Sequence, residues 1–290
     1  MKKIGFIGLG NMGSKMVINL LNTNHEVIGY DVNEKLIDQL IPKGLKKASN
    51  LNEITNDIDI IITMLPNGEI VEKVYESILN KLKPNTLVTD CSTIDVDKAK
   101  FLHKKCNKHN LLSLDAPVSG GVVGAENGTL TFMVGGSDKA YNLMLPLFNV
   151  MGNRSVLCGS HSSGQAAKAC NNMLLAITMI GVGEAFNLGS NLGLDANKLF
   201  QILSTSSASC WSINNYCPIE NVGPKSPADN NYQPGFSANL MLKDLTIALE
   251  AIENTKTSAP FGRKAKENFE AMINNKKGDL DFSAIINFNK

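Results

Sequence analysis

An excess of charge of either sign is what this chain most plainly lacks: 28 Lys and Arg stand against 27 Asp and Glu, a net charge of +1 over 290 residues. So even a balance gives no electrostatic footprint for nucleic acid, and no polyanionic partner is expected. Cysteine pairing is missing as well. The six cysteines (Cys91, Cys106, Cys158, Cys170, Cys210, Cys217) form no CxxC pair and keep no regular spacing, and most sit in apolar runs. They read as reduced thiols in a reducing compartment, which excludes a disulfide-stapled secreted fold. The four histidines, His25, His103, His109 and His161, have no second ligand at a useful spacing, so no metal site is expected. The longest apolar stretch, residues 173–182, is too short to span a bilayer and lies inside a longer helical pattern, so no membrane span is expected either. Met1-Lys2-Lys3 runs straight into an apolar segment that reads as a core strand, which leaves no room for a targeting peptide and makes a cytoplasmic location the expectation.

What is present is an ordinary globular composition, 43% hydrophobic, on a chain long enough for two cores. Short, branched apolar runs at residues 4–8, 27–31, 58–65, 87–90, 111–115 and 130–134 alternate with amphipathic segments. Such runs suit parallel strands covered on both faces by helices, a doubly wound α/β domain over residues 1–161. After the Gly159-Ser160-His161-Ser162-Ser163-Gly164 cluster the apolar residues recur at helical spacing and no further strand is expected. Residues 162–290 therefore read as an all-α domain, joined to the first by a long helix over residues 163–192 and followed by helices at 195–203, 238–253 and 260–274. Between them, residues 211–234 are rich in Asn, Pro and Gly and read as an irregular loop, of a length that is usually functional or disordered.

Gly8-Leu9-Gly10-Asn11-Met12-Gly13 is a GxGxxG directly after a strand and directly before an amphipathic helix. In that context Gly8 permits the tight turn, Gly10 admits a pyrophosphate to the backbone, and Gly13 lets helix and strand pack, as in a Rossmann-type dinucleotide site. Asp31 ends the second strand, where a carboxylate accepts from the adenosine ribose hydroxyls and repels a 2′-phosphate. The residues that follow, Val32, Asn33 and Glu34, include no arginine, so NAD is expected in preference to NADP.

Three more stretches fall at strand ends: Thr63-Met64-Leu65-Pro66, Asp90-Cys91-Ser92-Thr93 and Asp115-Ala116-Pro117-Val118-Ser119-Gly120-Gly121. Ligands bind at the carboxyl edge of open α/β sheets, so Leu65 and Pro66 are candidates to line the cofactor and Thr93 to reach its nicotinamide end. The Ser119-Gly120-Gly121 turn offers a hydroxyl and open backbone amides for a substrate carboxylate. Lys168 and Asn172 lie four apart in the long helix and so share one face. A lysine set among Ala, Cys, Met and Leu loses hydration, which lowers its pKa and suits it to general acid–base work; the alternative from spacing alone is a surface lysine beside a core-facing asparagine.

In order and spacing these motifs, with Gly164-Gln165-Ala166-Ala167-Lys168, Asn171-Asn172 and Lys243-Asp244-Leu245, resemble the β-hydroxyacid dehydrogenase family over nearly the whole chain. The resemblance implies that Lys168 is catalytic, that Asn172 assists it, that Ser119, Gly120 and Gly121 bind substrate, and that Lys243 contacts the nicotinamide cofactor. The stretch from Cys210-Trp211 through Tyr216 and Gly235-Phe236 to Lys243 is similar to the 3-hydroxyisobutyrate branch, which adds Trp211 and Phe236 to the implied substrate wall. It departs from that branch at Cys217-Pro218-Ile219-Glu220-Asn221-Val222, where Asn-Pro followed by Pro-Gly-Val is usual. The implied activity is NAD-dependent oxidation of a short β-hydroxy acid, 3-hydroxyisobutyrate, to methylmalonate semialdehyde, as in valine catabolism. A related reductase of tartronate or succinic semialdehyde is the alternative. The apolar excess of the long helix points to a homodimer or homotetramer.

Overall fold

The computed structural model describes residues 1–288; the last two residues of the expected second domain, 289 and 290, lie outside the described residues. The chain divides into two compact units, Met1–Lys168 and Ala169–Lys290.

The first unit carries β1 (Lys3–Ile7), α1 (Gly13–Leu21), β2 (Glu26–Tyr30), α2 (Glu34–Asp38), β3 (Lys46–Lys47), β4 (Ile60–Thr63), α3 (Gly68–Ile78), β5 (Leu87–Asp90), α4 (Val96–Lys108), β6 (Leu112–Asp115), β7 (Val118–Ser119), α5 (Gly121–Glu126), β8 (Leu130–Gly136), α6 (Asp138–Met151) and β9 (Gly152–Gly159). Among the described residues the strands form one sheet in the order β3-β2-β1-β4-β5-β6-β8-β7, with β9 paired to β8. From β3 to β6 every pairing is parallel. The order reverses between β1 and β4, and a crevice opens at the carboxyl ends of strands at such a switch point.

The branched residues explain the layering. In β4, Ile60 and Ile62 join the core formed with Phe6, Met16 and Leu20, while Ile61 joins the opposite core with Val71, Val88 and Leu102. A strand buried on both faces needs an apolar residue at every position, and each such side chain contributes about 1.5–3 kcal/mol. Helices α3, α4 and α6 start at side-chain caps: Asn67 accepts from Ile70 N, Asp95 from Lys98 N and Ser137 from Ala140 N.

The doubly wound architecture is the one expected, with four local differences. The run at 58–65 shortens to Ile60–Thr63, which frees Met64, Leu65 and Pro66 as a strand-end loop. β3 and β7 are two residues each, too short to show a period. β9 carries exposed and half-exposed residues at the sheet edge in place of a buried run. β8 runs antiparallel to β6 and β7, a reversal that apolar content does not encode.

α7 (Ser163–Asn191) opens within the first unit, and its remainder belongs to the second with α8 (Ala196–Thr205), α9 (Trp211–Asn214), α10 (Ala238–Thr255) and α11 (Pro260–Asn274). By length and composition α7 is apolar enough to cross a membrane, which counting an uninterrupted run missed. Gly, Ala, Thr and Asn break the run without making the helix polar. Within the second unit α7 packs Ala176, Met179 and Ile180 against Met241, Leu245 and Phe269, and Val182 and Phe186 against Ile213 and Cys217. Residues 211–234 are more ordered than expected, because α9 opens them and a 3-10 turn, Pro227–Asn230, closes them behind a reciprocal Ser226 and Asp229 cap.

Candidate active site

In the first unit Gly8 follows β1 with φ +96°, a left-handed backbone that favours glycine. A Cβ on Gly8 would collide with the Met64 carbonyl, and one on Gly13 with the Gly8 carbonyl, so both glycines are required by close backbone approach. Gly10 differs, since a Cβ there meets nothing within 4 Å. Its backbone borders open space at the start of α1, and among the described residues no side chain caps that helix end. A cradle of this kind, with helix amides facing it, fits a pyrophosphate. Within the motif Leu9 is fully buried and its amide donates to Asp31 Oδ2, so neither its side chain nor its N–H faces a ligand. Asn11 is exposed, and Met12 packs partly on the core.

Asp31 follows β2 directly. One carboxylate oxygen accepts from Leu9 N at 2.7 Å and the other from Asn33 N at 2.8 Å. It therefore braces the glycine loop as well as presenting charge at the strand end. Val32, Asn33 and Glu34 are all exposed beyond it.

At the next strand ends a buried hydrogen-bond network joins the loops that sequence singles out. Asp90 Oδ1 accepts from Thr63 Oγ1 at 2.7 Å, Ser92 Oγ at 2.6 Å and Ser92 N at 3.1 Å, and Ser92 Oγ in turn accepts from Leu65 N at 2.8 Å. This ties the Leu65-Pro66 loop to the Ser92-Thr93 loop; Pro66 is exposed and Leu65 and Thr93 are half-buried. Among the described residues Asp90 Oδ2 has no hydrogen-bond partner, and Asp90 lines a partly open cavity of about 20 Å³, room for one water.

Burial pushes the Asp90 carboxyl up to about 6 against the hydrogen bonds from Ser92 and Thr63. An unfolded aspartate titrates near about 3.9, so between about pH 4 and 6 the folded protein keeps a proton that the unfolded chain has lost. Stability from this group is therefore lost as pH rises through that window, by about 3 kcal/mol. Asp90→Asn should flatten the difference between denaturation curves at about pH 4 and about pH 7 by that amount. An unchanged difference would contradict the buried, proton-binding carboxyl.

Ser119 ends β7, pairing with Thr131 of β8, and Gly120 and Gly121 follow with φ +132° and +62°, exposing the turn that opens α5. One turn into α7, Lys168 is only 8% exposed, and its Nζ donates to the Val118 carbonyl at 2.8 Å. The lysine is thus buried and fixed beside the Ser119 backbone, and the surface alternative fails. Gln165, fully buried, donates to the Ser92 carbonyl at 2.8 Å and accepts from Ile94 N at 3.1 Å, so one side chain joins the start of α7 to the Thr93 loop.

In the second unit Asn172 is 2% exposed; its amide nitrogen donates to Asp244 Oδ2 and its oxygen accepts from Asn171 at 2.8 Å. Lys243 Nζ lies 3.4 Å from Asp244 Oδ1. One buried carboxylate therefore orients both the asparagine and the lysine that the motifs single out. Sequence reading missed Asp244, although its place next to Lys243 was the available signal.

Trp211, half-exposed, stacks on Tyr216 at 4.9 Å, Tyr216 stacks on Phe282 at 5.5 Å, and Phe236 meets Phe282 edge-on at 5.7 Å. The organiser is Asp281, also missed, because nothing in its neighbourhood marks it. Its Oδ2 accepts from Tyr216 Oη, Gly235 N and Phe236 N, each at 3.0 Å, and its Oδ1 from Ser283. Tyr216→Phe removes one donor and leaves the rest, so a loss of about 1 kcal/mol in chemical denaturation is expected. No loss would show that the bond to Asp281 does not hold the loop.

Comparison with known proteins accounts for the chain end to end. Residues 3–159 match the family described as the NAD binding domain of 6-phosphogluconate dehydrogenase, and residues 162–289 match that described as NAD-binding of NADP-dependent 3-hydroxyisobutyrate dehydrogenase. The mitochondrial 3-hydroxyisobutyrate dehydrogenase of Mus musculus is 42% identical over 98% of this chain and 86% of its own. That of Drosophila melanogaster is 40% identical over 100% of this chain and 90% of its own. The structure of Mycobacterium tuberculosis 3-hydroxyisobutyrate dehydrogenase with L-serine is 41% identical, with a TM-score of 0.95 over 99% of this chain and 98% of that one.

Proposed function

The chain belongs to the β-hydroxyacid dehydrogenase family, among the 3-hydroxyisobutyrate dehydrogenases and their nicotinamide-dinucleotide-binding fold, and from that premise we propose that it oxidises 3-hydroxyisobutyrate to methylmalonate semialdehyde with NAD. The observation that carries this reading is Lys168, buried and held through Nζ beside the Ser119 turn.

Gly8, Gly10 and Gly13, with the backbone of Asn11 and Met12 and with Leu9 buried beneath the loop, would hold the cofactor's pyrophosphate, Asp31 its adenosine ribose, and Leu65, Pro66, Thr93 and Lys243 its remainder. A bound nicotinamide would supply the acceptor for the hydride of the hydroxyl-bearing carbon. Ser119 and the amides of Gly120 and Gly121 grip the substrate carboxylate, which neutral donors on an open turn can do without desolvating a counter-charge. Lys168 in its neutral form accepts the hydroxyl proton, and its ammonium returns the proton in the reverse direction. Asn172, oriented by Asp244, hydrogen-bonds the substrate oxygen. Trp211 and Phe236 wall the substrate methyl group.

Asp31 favours NAD, because a 2′-phosphate would meet its carboxylate and the residues after it, Val32, Asn33 and Glu34, supply no cation. The chemistry is assigned to the cytoplasm on the strength of six free cysteines, which suit a reducing compartment. A homodimer or homotetramer is assigned because Leu174 and Leu188 along α7 and Leu192 just past its end stand exposed; light scattering on the purified protein should give at least twice the chain mass, and a monomer would refute it.

Initial rates with 3-hydroxyisobutyrate, tartronate semialdehyde and succinic semialdehyde test the substrate. The largest kcat/KM should belong to 3-hydroxyisobutyrate; a larger value for either semialdehyde would replace this reading.

A further inference from the structure

We propose that Asp115 is the positioning residue that sets Lys168 for proton exchange, by clasping the first turn of α7 from the end of β6. The proposal rests on Lys168 being the proton-exchanging group.

Asp115 is buried at the last position of β6. Its Oδ1 accepts from Ser162 N at 2.7 Å and its Oδ2 from Gln165 N at 2.9 Å. The first amides of a helix have no partner within it, and a carboxylate across them satisfies donors and complements the positive helix end at once. Here the acceptor comes from a strand distant in sequence, so the bonds fix where α7 begins relative to the sheet of the first unit and not merely that it begins.

Space has been cleared for this clasp. A Cβ on Gly164 would strike the Met133 carbonyl and lie 2.9 Å from Asp115 Oδ2, and one on Gly135 would strike Asp115 Oδ1 and lie 2.8 Å from Gly164 N. Two glycines on different elements thus leave one carboxylate in contact with helix amides, a degree of fit that a plain terminal cap does not need. The Ser137 cap of α6 is local by contrast, reaching only Ala140 N.

The clasp also closes a loop around the lysine. Lys168 is one turn beyond the Gln165 amide that Asp115 holds, and its Nζ donates to Val118, three residues after Asp115 and next to Ser119. Asp115 and Val118 therefore grip α7 at its first turn and at the tip of its lysine from a single segment, which also carries the Ser119-Gly120-Gly121 turn. Without the carboxylate, α7 can shift or fray at its start while the turn stays, and the distance from Nζ to a substrate gripped at Ser119 is no longer fixed. A displacement of about 1 Å at a reacting group costs on the order of 100-fold in rate.

The test is a set of variants assayed by steady-state kinetics: Asp115→Ala, Asp115→Asn, Lys168→Ala and the double Asp115→Ala/Lys168→Ala, with Ser137→Ala as a cap elsewhere. Asp115→Ala should lower kcat about 100-fold with KM for NAD within about 2-fold, and Asp115→Asn, which keeps a capping oxygen, should recover at least about 10-fold of that loss. The double variant should be no slower than Lys168→Ala, because a residue acting through Lys168 has nothing left to position. Ser137→Ala should leave kcat within about 2-fold. Unchanged kcat in Asp115→Ala, or losses that add in full in the double variant, would overturn the proposal. If Asp115→Ala does not fold, Asp115→Asn with kcat lowered by up to about 10-fold and no further loss on the Lys168→Ala background supports it, and parental kcat or a loss that adds in full to that of Lys168→Ala overturns it. Retention of most activity by Lys168→Ala would instead overturn the reading of the lysine itself.

Discussion

Lys168→Ala is expected to lower kcat by about 10³- to 10⁴-fold while the dissociation constant for NAD stays within about 2-fold. The lysine is buried and its Nζ is fixed at 2.8 Å from the Val118 carbonyl, so truncation to alanine removes an amine held at one defined point. Lys168→Arg separates proton exchange from charge. Arginine keeps a cation and donors but does not deprotonate in proteins, so it should restore less than about 10-fold of the lost rate. A variant arginine enzyme near parental activity would show that Lys168 serves as a fixed positive charge and that the hydroxyl proton leaves by another route.

The second large effect concerns the adenosine end. kcat/KM with NAD should exceed that with NADP by about 10³-fold, since like charges forced together at a binding site cost several kcal/mol. Asp31 cannot swing away freely, because both its oxygens are engaged by the amides of Leu9 and Asn33. Asp31→Asn retains an oxygen for one of those amides and removes the charge, and the preference should then fall at least about 10-fold. Equal use of the two cofactors by the parent protein would show that the 2′ position points away from Asp31.

The parts of this molecule legible in sequence are those where one residue type answers one physical demand. GxGxxG after a strand is such a case, because the Gly8 backbone and the Gly13 contact admit nothing larger. Ile60-Ile61-Ile62 is another, since only a two-sided core asks for three branched residues in a row. Asp115, Asp244 and Asp281 are of the opposite kind. Each is a buried carboxylate whose partners include backbone amides or side chains distant in sequence, and, Lys243 beside Asp244 apart, the chain around it gives no sign of what it will meet. β9 was invisible for a related reason: an edge strand takes its pairing from β8 and leaves its own side chains exposed. Lys168 lies between the two. Spacing alone left it a surface or a buried lysine, the ordered motifs raised its standing, and the bond to Val118 gave it a fixed place.

The appearance of reduced nicotinamide when the purified protein is given NAD and 3-hydroxyisobutyrate tests the central claim most directly. The account predicts steady NADH formation that stops in Lys168→Ala while NAD binding by calorimetry persists. An intact protein that binds NAD and forms no NADH from 3-hydroxyisobutyrate would contradict it.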